Sequence, residues 1–266
     1  MITFEPMKIE FDKYHGAGND FILLDNRSNT YSNLTTRQLH HLCDRYFGIG
    51  ADGVIRIDSH DQLDFEMVYF NSDGNLSSFC GNGGRCVVAF ARRLGIIGSQ
   101  TQFLAFDGLH AAQEINPGEI RIGMQAVCDL QSSKEFVLMD TGSPHYIQKV
   151  ENCDLVDVKK EGSALRYSEP YAPDGINVNF VQKVSQNRFK IRTYERGVED
   201  ETLACGTGAV AAALAMYFTG ETDQYSIEME ALGGLLNVEF KPKDKGFSDI
   251  YLQGSASHVY SGIIEL

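Results

Sequence analysis

Apolar and polar residues alternate over many short segments of the chain, and this pattern predicts a β-rich fold with few helices. Ile120, Ile122 and Met124 alternate with polar neighbours, as expected for a strand with one buried face. The predicted strands include residues 8–14, 21–25, 64–70, 119–124, 135–139, 176–184, 188–194, 225–230 and 235–240. The last two are joined through Gly233-Gly234, which indicates a hairpin.

A helical repeat begins near residue 35. Thr35 and Gln38 have the spacing of a capping box, in which each side chain bonds the backbone N–H of the other residue. The apolar residues that recur on one face are Leu39, Leu42, Cys43, Tyr46 and Phe47. Gly48 is the expected end of the helix, because glycine favours the conformation that terminates helices. We therefore predict that this face, with Cys43, belongs to the core.

Two further helices are predicted directly after glycine-rich turns. Residues 80–86 have the sequence CGNGGRC and lead into an apolar segment that ends near Gly95. Residues 205–208 have the sequence CGTG and lead into an apolar segment that ends at Gly220. Cysteine and terminal glycine are 15 residues apart in both cases (95 − 80 and 220 − 205). The second segment is apolar nearly all round, so we expect it to be buried on most sides.

The matched turns indicate an internal duplication. Their cysteines are 125 residues apart (205 − 80) in a chain of 266 residues. We predict an α+β fold of two similar β-rich halves, each an antiparallel, barrel-like sheet wrapped round a central helix. The first half would be residues 1–122 with Cys80, and the second residues 123–266 with Cys205. The C-terminal strands are allowed to cross back to the first half.

Composition and charge narrow the classes of partner. The chain is 43% hydrophobic and 22% charged, which is typical of soluble globular proteins. Its formal net charge of −13 would repel phosphates, so we expect neither nucleic acid nor membrane as a partner. No basic-then-apolar N-terminal pattern or long apolar run is present, so we expect a cytoplasmic protein. Its cysteines are then expected to be thiols rather than disulfides: Cys43, Cys80, Cys86, Cys128, Cys153 and Cys205.

Two cysteines at helix starts suit a specific chemistry. The helix N-terminus lowers the pKa of a thiol and thus favours the thiolate, and the glycines let backbone N–H groups approach an anion. Inverting a carbon requires one group to remove the proton and another to deliver a proton to the opposite face. We therefore expect the sulfurs of Cys80 and Cys205 to converge on one α-carbon in a cofactor-independent racemase or epimerase.

Six segments, in order along most of the chain, resemble the motifs of the diaminopimelate epimerase family. They are HGAGNDF (15–21), GADG (50–53), FNSDG…CGNGGRC (70–86), GSPH (142–145), INVNF (176–180) and YERG…ETLACGTG (194–208). Single segments are weak signals, but their order around both cysteine turns is specific. The resemblance implies interconversion of LL- and meso-2,6-diaminoheptanedioate, in the pathway to lysine and peptidoglycan precursors, by a homodimer without metal or other cofactor.

The resemblance also implies roles for individual residues. Cys80 and Cys205 would be the catalytic thiols, and His145 with Glu195 would tune their pKa values. The residues that would bind the amino-acid substrate are Asn19, Asn71, Gly81, Asn82, Asn177, Glu195, Arg196, Gly206 and Thr207. Of these, the two pairs that follow the cysteines would bind the α-carboxylate from the helix N-termini. Asn177 lies in an apolar strand, where its amide needs partners.

The sequence departs from the family pattern at three places. Ser143 stands where the family often has asparagine, and Gly53 lies at or near another substrate-contacting position. The loop 198–201 is one residue longer than the common form. These departures concern the details of the pocket and leave the cysteine pair in place.

Four alternatives remain open at this stage. A related two-cysteine racemase acting on proline or hydroxyproline would share the chemistry but not the polar contacts at both ends of the substrate. A dithiol redox protein could use Cys80 and Cys205, although no Cys-x-x-Cys is present. A zinc-binding module is disfavoured, because Cys80 and Cys86 do not have the spacing of zinc ligands. We expect Cys86 to be a core residue. A non-catalytic amino-acid-binding protein would not need two thiols.

Overall fold

The computed structural model describes residues 7–266 and contains 17 strands and four α-helices in that range. In chain order the elements up to the middle of the chain are β1 (Lys8–Gly16), β2 (Asn19–Asp25), α1 (Thr36–Cys43), β3 (Gly53–Asp58), β4 (Phe65–Asn71), α2 (Gly81–Arg93), β5 (Gln100–Ala105), β6 (Gly108–Asn116) and β7 (Glu119–Met124). They are followed by β8 (Leu130–Ser132), β9 (Val137–Asp140), β10 (Pro144–Lys149), α3 (Val158–Arg166), β11 (Asn177–Lys183), β12 (Arg188–Glu195), β13 (Asp200–Thr202), α4 (Gly206–Phe218), β14 (Ser226–Ala231), β15 (Gly234–Pro242), β16 (Phe247–Ser255) and β17 (Ser257–Glu265).

The chain divides into two compact units. The first contains the residues through Ile120 together with Ala256–Leu266, and the second contains Arg121–Ser255. The boundary predicted from the sequence, between residues 122 and 123, lies two residues further along.

In the first unit the strands pair in the order β17, β1, β2, β3, β4, β5, β6. The pairs β2–β3 and β4–β5 are parallel and the others are antiparallel. In the second unit the order is β8, β9, β10, β11, β12, β14, β15, β16, where β10–β11 and β12–β14 are the parallel pairs. Strand β13 also pairs with β12, and β7 pairs with β16.

The same succession of parallel and antiparallel pairs thus occurs twice, which confirms the α+β class and the duplicated halves. The expectation of antiparallel sheets was wrong in detail, because each sheet is mixed. A parallel pair needs a crossover connection. Helices α1 and α2 provide it in the first unit, and α3 and α4 provide it in the second.

Each unit encloses one helix that follows a glycine-rich turn. Helix α2 contacts β1, β2, β3, β4, β6 and β17, and α4 contacts strands from β9 to β16 of its own unit. In α4 the residues 208–216 are all buried, as its uniformly apolar sequence predicts. Helix α2 is buried along residues 81–88 although it contains Arg85. The helix ends are also as predicted, since Gly95 and Gly220 adopt φ values of +71° and +75°.

Helix α1 begins as predicted but ends earlier. Thr35 and Gln38 form the complete capping box. The helix stops at Cys43, however, and Tyr46 and Phe47 are 92% and 80% exposed, so their predicted place on the buried face was wrong. The cause lies at Asp44, whose carboxylate accepts hydrogen bonds from the N–H groups of both aromatic residues and holds them in a turn.

Helix α3 packs close to β12. The short, polar sequence of α3 gave no clear repeat, and the helix was not predicted. Asp157 caps it, and Gly162 lets it approach Tyr194, whose side chain would lie 2.4 Å from a Cβ at that glycine. Cys43 and Cys86 are buried as predicted. None of the six cysteines, all of which lie within residues 7–266, forms a disulfide.

Candidate functional site

Cys205 is the N-cap residue of α4. Its backbone is extended (φ −112°, ψ 115°), and its Sγ accepts a hydrogen bond from the N–H of Gly208 at 3.4 Å. The hydroxyl of Thr207 lies 3.5 Å from the same sulfur. The predicted position of this thiol at the positive end of a helix is therefore confirmed.

Cys80 is the N-cap residue of α2 and has nearly the same backbone conformation (φ −116°, ψ 119°). Its Sγ lies 3.6 Å from Oδ1 of Asn19, a residue at the start of β2. Both sulfurs thus start a helix of 13 residues, as the matched sequence spacing predicts.

The third residue after each cysteine is glycine, and the helix approaches a strand closely there. A Cβ on Gly83 would lie 2.8 Å from Cδ1 of Ile55 in β3. A Cβ on Gly208 would lie 2.6 Å from Oδ1 of Asn179 in β11. The glycines of the two motifs therefore bring the helix starts onto equivalent strands.

A buried arginine stands behind Cys80. The guanidinium of Arg85 donates to Oδ1 of Asn82 at 2.7 Å and to the carbonyl of Gly81 at 3.2 Å. Asn82 in turn donates to Oδ1 of Asn19 at 3.1 Å. Complete burial lowers the pKa of Arg85, yet a guanidinium keeps its charge at neutral pH. A buried positive charge therefore lies on the residue five positions after Cys80.

Asn19 is held from its other side by an ionic cluster. Its amide donates to Asp52 at 2.7 Å, and Arg45 bridges Asp52 and Asp20 at 2.7 and 2.8 Å. Lys13, 6% exposed, pairs with Asp20 at 2.7 Å. Burial alone would raise the pKa of Asp20, but the hydrogen bonds and charges of Arg45 and Lys13 lower it to about 2. The Asn19 carboxamide is thereby fixed in orientation.

His145, predicted to tune a thiol, lies behind the Cys205 turn and is completely buried. Its Nε2 is 3.0 Å from the hydroxyl of Thr207, and its Nδ1 is 3.0 Å from the amide nitrogen of Asn179. Burial first, and the charge of Arg196 second, lower the pKa of His145 to about 3, so the ring is neutral at physiological pH. His145 therefore contacts Thr207, whose hydroxyl lies beside the Cys205 sulfur, and it carries no charge of its own.

The sequence did not lead us to two residues of the hydrogen-bond network around His145, namely Asn179 and Thr193. Asn179, 0% exposed, accepts from the hydroxyl of Thr193 at 2.9 Å and donates to the carbonyl of Tyr146 at 3.1 Å. The signal was available, because Asn179 shares with Asn177 the position of an amide inside an apolar strand.

Asn177 is satisfied within its own unit. Its amide donates to Ser143 at 2.8 Å and to the carbonyl of Pro144 at 3.0 Å, and its Oδ1 accepts from the N–H of Arg196 at 2.8 Å. The prediction that this amide needs partners is confirmed. The departure at Ser143 now has a structural consequence, since the shorter side chain accepts a hydrogen bond from Asn177.

Two other predicted residues each lie at the end of a strand of their own unit. Glu195 ends β12 and accepts from the hydroxyl of Thr202 at 3.0 Å. Asn71 ends β4, is exposed, and pairs in register with Gly53. Gly53 has a packing reason, because a Cβ there would lie 2.5 Å from the carbonyl of Phe70.

The longer loop after β12 is tied to α3. Glu199 adopts a φ of +59°, unusual for a residue with a side chain. Its carboxylate accepts from Arg166 at 3.0 and 3.2 Å and from the N–H of Gly197 at 3.0 Å. These contacts hold the loop in one conformation beside Glu195 and Arg196.

Two further observations concern other classes of protein. Within residues 7–266, no three His, Cys, Asp or Glu side chains group as metal ligands would. In the same part of the chain, no helix is both long and apolar enough to cross a membrane.

A family model and two curated relatives share the name diaminopimelate epimerase. The family model described as diaminopimelate epimerase matches residues 11–102 and 137–259. A curated diaminopimelate epimerase from Flavobacterium psychrophilum is 48% identical over 252 residues, which cover 95% of this chain and 98% of that protein. One from Chlorobaculum tepidum is 42% identical, over 94% of this chain and 99% of that protein.

Solved structures of lower identity share the fold. A PhzF-family phenazine biosynthesis protein from Bacillus anthracis has a TM-score of 0.76 at 15% identity, covering 97% of this chain and 99% of its own. A hydroxyproline epimerase from Agrobacterium vitis has a TM-score of 0.72 at 14% identity, covering 98% and 93%. These likenesses bear on the fold alone, whereas the sequence relatives decide the family. With both cysteine turns inside the matched residues, the chain belongs to the diaminopimelate epimerase family.

Proposed function

We propose that the chain is a cofactor-independent isomerase that interconverts LL- and meso-2,6-diaminoheptanedioate, with Cys80 and Cys205 as its two acid–base groups. The observation that carries the proposal is the duplicated turn, because each sulfur caps a helix whose first residues are glycine-rich. Near-full-length relatives named diaminopimelate epimerase support the substrate.

The proposed reaction is a proton exchange at one α-carbon. One cysteine, as thiolate, removes the α-proton and becomes a thiol. The other, as thiol, delivers its proton to the opposite face and becomes a thiolate, so that the substrate is inverted without net change in protons. For the reverse direction the two residues exchange roles. The reaction requires that the sulfurs address opposite faces of the carbon.

The carbanionic intermediate needs stabilisation because no electron sink is invoked. We propose that the N–H groups of the helix starts, at Gly81-Asn82 and Gly206-Thr207, bind the α-carboxylate and the charge that develops on it. Asn19 and Asn71, which begin β2 and end β4, are the proposed amide contacts of the first unit.

The second unit is proposed to bind the polar groups of the substrate through Asn177, Glu195 and Arg196. Arg196 suits a carboxylate and Glu195 an ammonium group. Asn177 supports this arrangement by holding the backbone of Arg196. His145 and Glu195 are proposed to influence the two thiols, His145 through Thr207 rather than by carrying a charge.

We infer a cytoplasmic homodimer that uses neither nucleic acid nor a membrane, consistent with the formal net charge of −13. Size-exclusion chromatography with light scattering would test the dimer, and a monomer at working concentration would contradict it.

Deuterium exchange tests the reaction directly. Incubated with LL-diaminopimelate in D₂O and no added cofactor, the protein is expected to produce the meso isomer with deuterium at the α-carbon. Cys80→Ala and Cys205→Ala should each abolish inversion, whereas Cys128→Ala, which changes an exposed cysteine, should not. Normal turnover by either active-site variant would refute the two-thiol mechanism. L-Proline and trans-4-hydroxy-L-proline serve as competing substrates, and faster inversion of either would support the related racemase.

A further inference from the structure

We propose that Asn179 is a positioning residue that fixes His145 with its proton on Nε2, and that His145 thereby makes the Thr207 hydroxyl a hydrogen-bond donor to Sγ of Cys205. The inference rests on the proposed function, in which Cys205 is one of the two thiols. All of its contacts lie within the second unit.

Two hydrogen bonds fix the orientation of the Asn179 carboxamide. Its amide nitrogen lies 3.1 Å from the carbonyl oxygen of Tyr146, which can only accept. Its Oδ1 accepts from the hydroxyl of Thr193 at 2.9 Å. The second hydrogen of the same amide nitrogen is thus available to Nδ1 of His145, at 3.0 Å. Nδ1 must then be the unprotonated ring nitrogen.

The proton of the neutral ring therefore lies on Nε2. Because burial and the charge of Arg196 lower the pKa of His145 to about 3, the ring carries a single N–H at physiological pH. That N–H donates to the hydroxyl oxygen of Thr207 at 3.0 Å. Thr207 is also fixed through its carbonyl, which accepts from Thr141 at 2.9 Å.

The Thr207 hydroxyl has one hydrogen, and its oxygen is already accepting from His145. The hydrogen is then directed to Sγ of Cys205, 3.5 Å away. The Thr207 hydroxyl and the N–H of Gly208, at 3.4 Å, then both donate hydrogen bonds to the sulfur, each from a fixed direction. Hydrogen bonds to a thiolate favour that charged form over the thiol. The hydrogen bonds that link Asn179, His145 and Thr207 therefore stabilise the Cys205 thiolate and fix the orientation of its lone pair.

At the equivalent positions of the first unit the side chains are apolar. In the parallel pair β2–β3, Phe21 is opposite Gly53, where His145 is opposite Asn177 in β10–β11. Ile55 occupies the position of Asn179, since Gly83 packs on it as Gly208 packs on Asn179. Neither Phe21 nor Ile55 can relay a hydrogen bond, so the device is specific to Cys205.

The native protein provides the first test. In ¹⁵N spectra of protein labelled at histidine, His145 is expected to show a protonated Nε2 and an unprotonated Nδ1 throughout the neutral range. A proton on Nδ1, or a doubly protonated ring, would overturn the inference. This measurement needs no substrate, so it remains decisive even if diaminopimelate is not turned over and the proposed function fails.

Variants of Asn179 and Thr207 test the kinetic consequence. Thr207→Val removes the hydroxyl and is expected to lower kcat about tenfold with little change in KM, the size of one hydrogen bond to a charged group. Thr207→Ser keeps the donor and should retain most of kcat. Asn179→Leu removes the donor to Nδ1, so the ¹⁵N signals should report mixed tautomers and kcat should fall. Asn187→Leu makes the same change on an exposed turn and should alter neither.

The double variant Asn179→Leu/Thr207→Val separates a chain from two independent effects. If Asn179 acts on the sulfur through Thr207, as proposed, the double variant should have the kcat of Thr207→Val alone. Multiplicative losses, or an unchanged kcat in Thr207→Val, would overturn the proposal. If Asn179→Leu does not fold, the Thr207 pair and the native spectrum still decide it. The rate of Cys205 alkylation by iodoacetamide gives the same comparison without substrate.

Discussion

The two cysteine turns share a backbone and differ in what stands behind it. Cys80 and Cys205 have φ and ψ values within 4° of each other, and each begins a helix of 13 residues. Behind Cys80 lies the buried cation of Arg85, whereas behind Cys205 lies the neutral ring of His145. The two units thus share the cysteine-capped helix N-termini, and the side chains around them differ.

The divergence follows the sheet register. Ile55 pairs with Tyr69 in β3–β4, and Asn179 pairs with Thr193 in β11–β12. The first unit thus has an isoleucine, which cannot hydrogen-bond, where the second has the Asn179 side chain in a hydrogen bond of 2.9 Å. In the first unit the polar support comes instead from the helix itself, through Arg85. The two cysteine turns are therefore supported by different side chains.

The largest effect is expected from removing the buried cation of the first unit. Arg85→Met leaves Oδ1 of Asn82 and the carbonyl of Gly81 without their guanidinium donor, so we expect the free energy of unfolding to fall by about 3 kcal/mol. Alkylation of Cys80 should also slow, because the thiolate loses a nearby positive charge. Urea unfolding and iodoacetamide kinetics measure the two effects.

Arg92→Met is the matched control, since Arg92 lies exposed on the same helix. It should change stability by less than about 1 kcal/mol. Equal losses in the two variants would show that Arg85 contributes only the packing of its methylene groups.

The close approach of each helix to its strand gives the second prediction. Gly208→Ala would force Cβ to 2.6 Å from Oδ1 of Asn179, which three hydrogen bonds hold in place. Gly83→Ala meets Cδ1 of Ile55, the end of a side chain that can rotate. We expect losses of about 2 kcal/mol for Gly208→Ala and less than about 1 kcal/mol for Gly83→Ala. Equal losses in urea unfolding would mean that the polar network is no more rigid than the apolar contact.

Local signals in the sequence predicted what depends on near neighbours. The capping box at Thr35 and the glycine ends of α2 and α4 involve residues within one turn, and both were correct. The end of α1 was wrong because Asp44 competes for the next N–H groups, a balance that the apolar pattern does not contain. The parallel pairs also escaped prediction, since they depend on which strands the crossover helices bring together.

The candidate site divides in the same way. The cysteines and their glycines were predictable because a motif and its repeat carry them. The amide of Asn179 inside an apolar strand was a usable signal, but its pairing with Thr193 was not predictable, because it depends on the register that places the two residues opposite each other in β11–β12. The sequence identified Ser143 as a departure from the family pattern, but the hydrogen bond that it accepts from Asn177 is visible only in the folded structure.

The neutral state of His145 predicts a pH dependence of stability. The folded pKa of about 3 lies below the ordinary value of 6.5, so the unfolded chain binds a proton that the folded protein does not. The stabilisation is complete above about pH 6.5 and is lost as the pH falls toward 3, at up to about 1.4 kcal/mol per pH unit. Asp20, with a folded pKa of about 2, loses its stabilisation only below about pH 4.

Urea unfolding between pH 7 and pH 5 measures this term. His145→Gln cannot titrate, so its stability should vary less over that interval than the stability of the native protein. His41→Gln, at an exposed position, should retain the native slope. A native slope in His145→Gln would assign the pH dependence to other groups.

The smallest effect concerns the loops that follow β4 and β12. The turn after β4 reaches positive φ at Gly74 (+82°), where glycine has no steric cost, whereas the loop after β12 places Glu199 at +59°. The strain of about 1 kcal/mol is offset by the ion pair and hydrogen bonds of the Glu199 carboxylate to Arg166 and Gly197. Glu199→Ala keeps the strain and removes the contacts, so it should cost about 1 kcal/mol. Glu199→Gly removes both, and its stability should lie within about 0.5 kcal/mol of native. If the two variants are equally unstable, the left-handed conformation carries no strain, and the longer loop is held by its side-chain contacts alone.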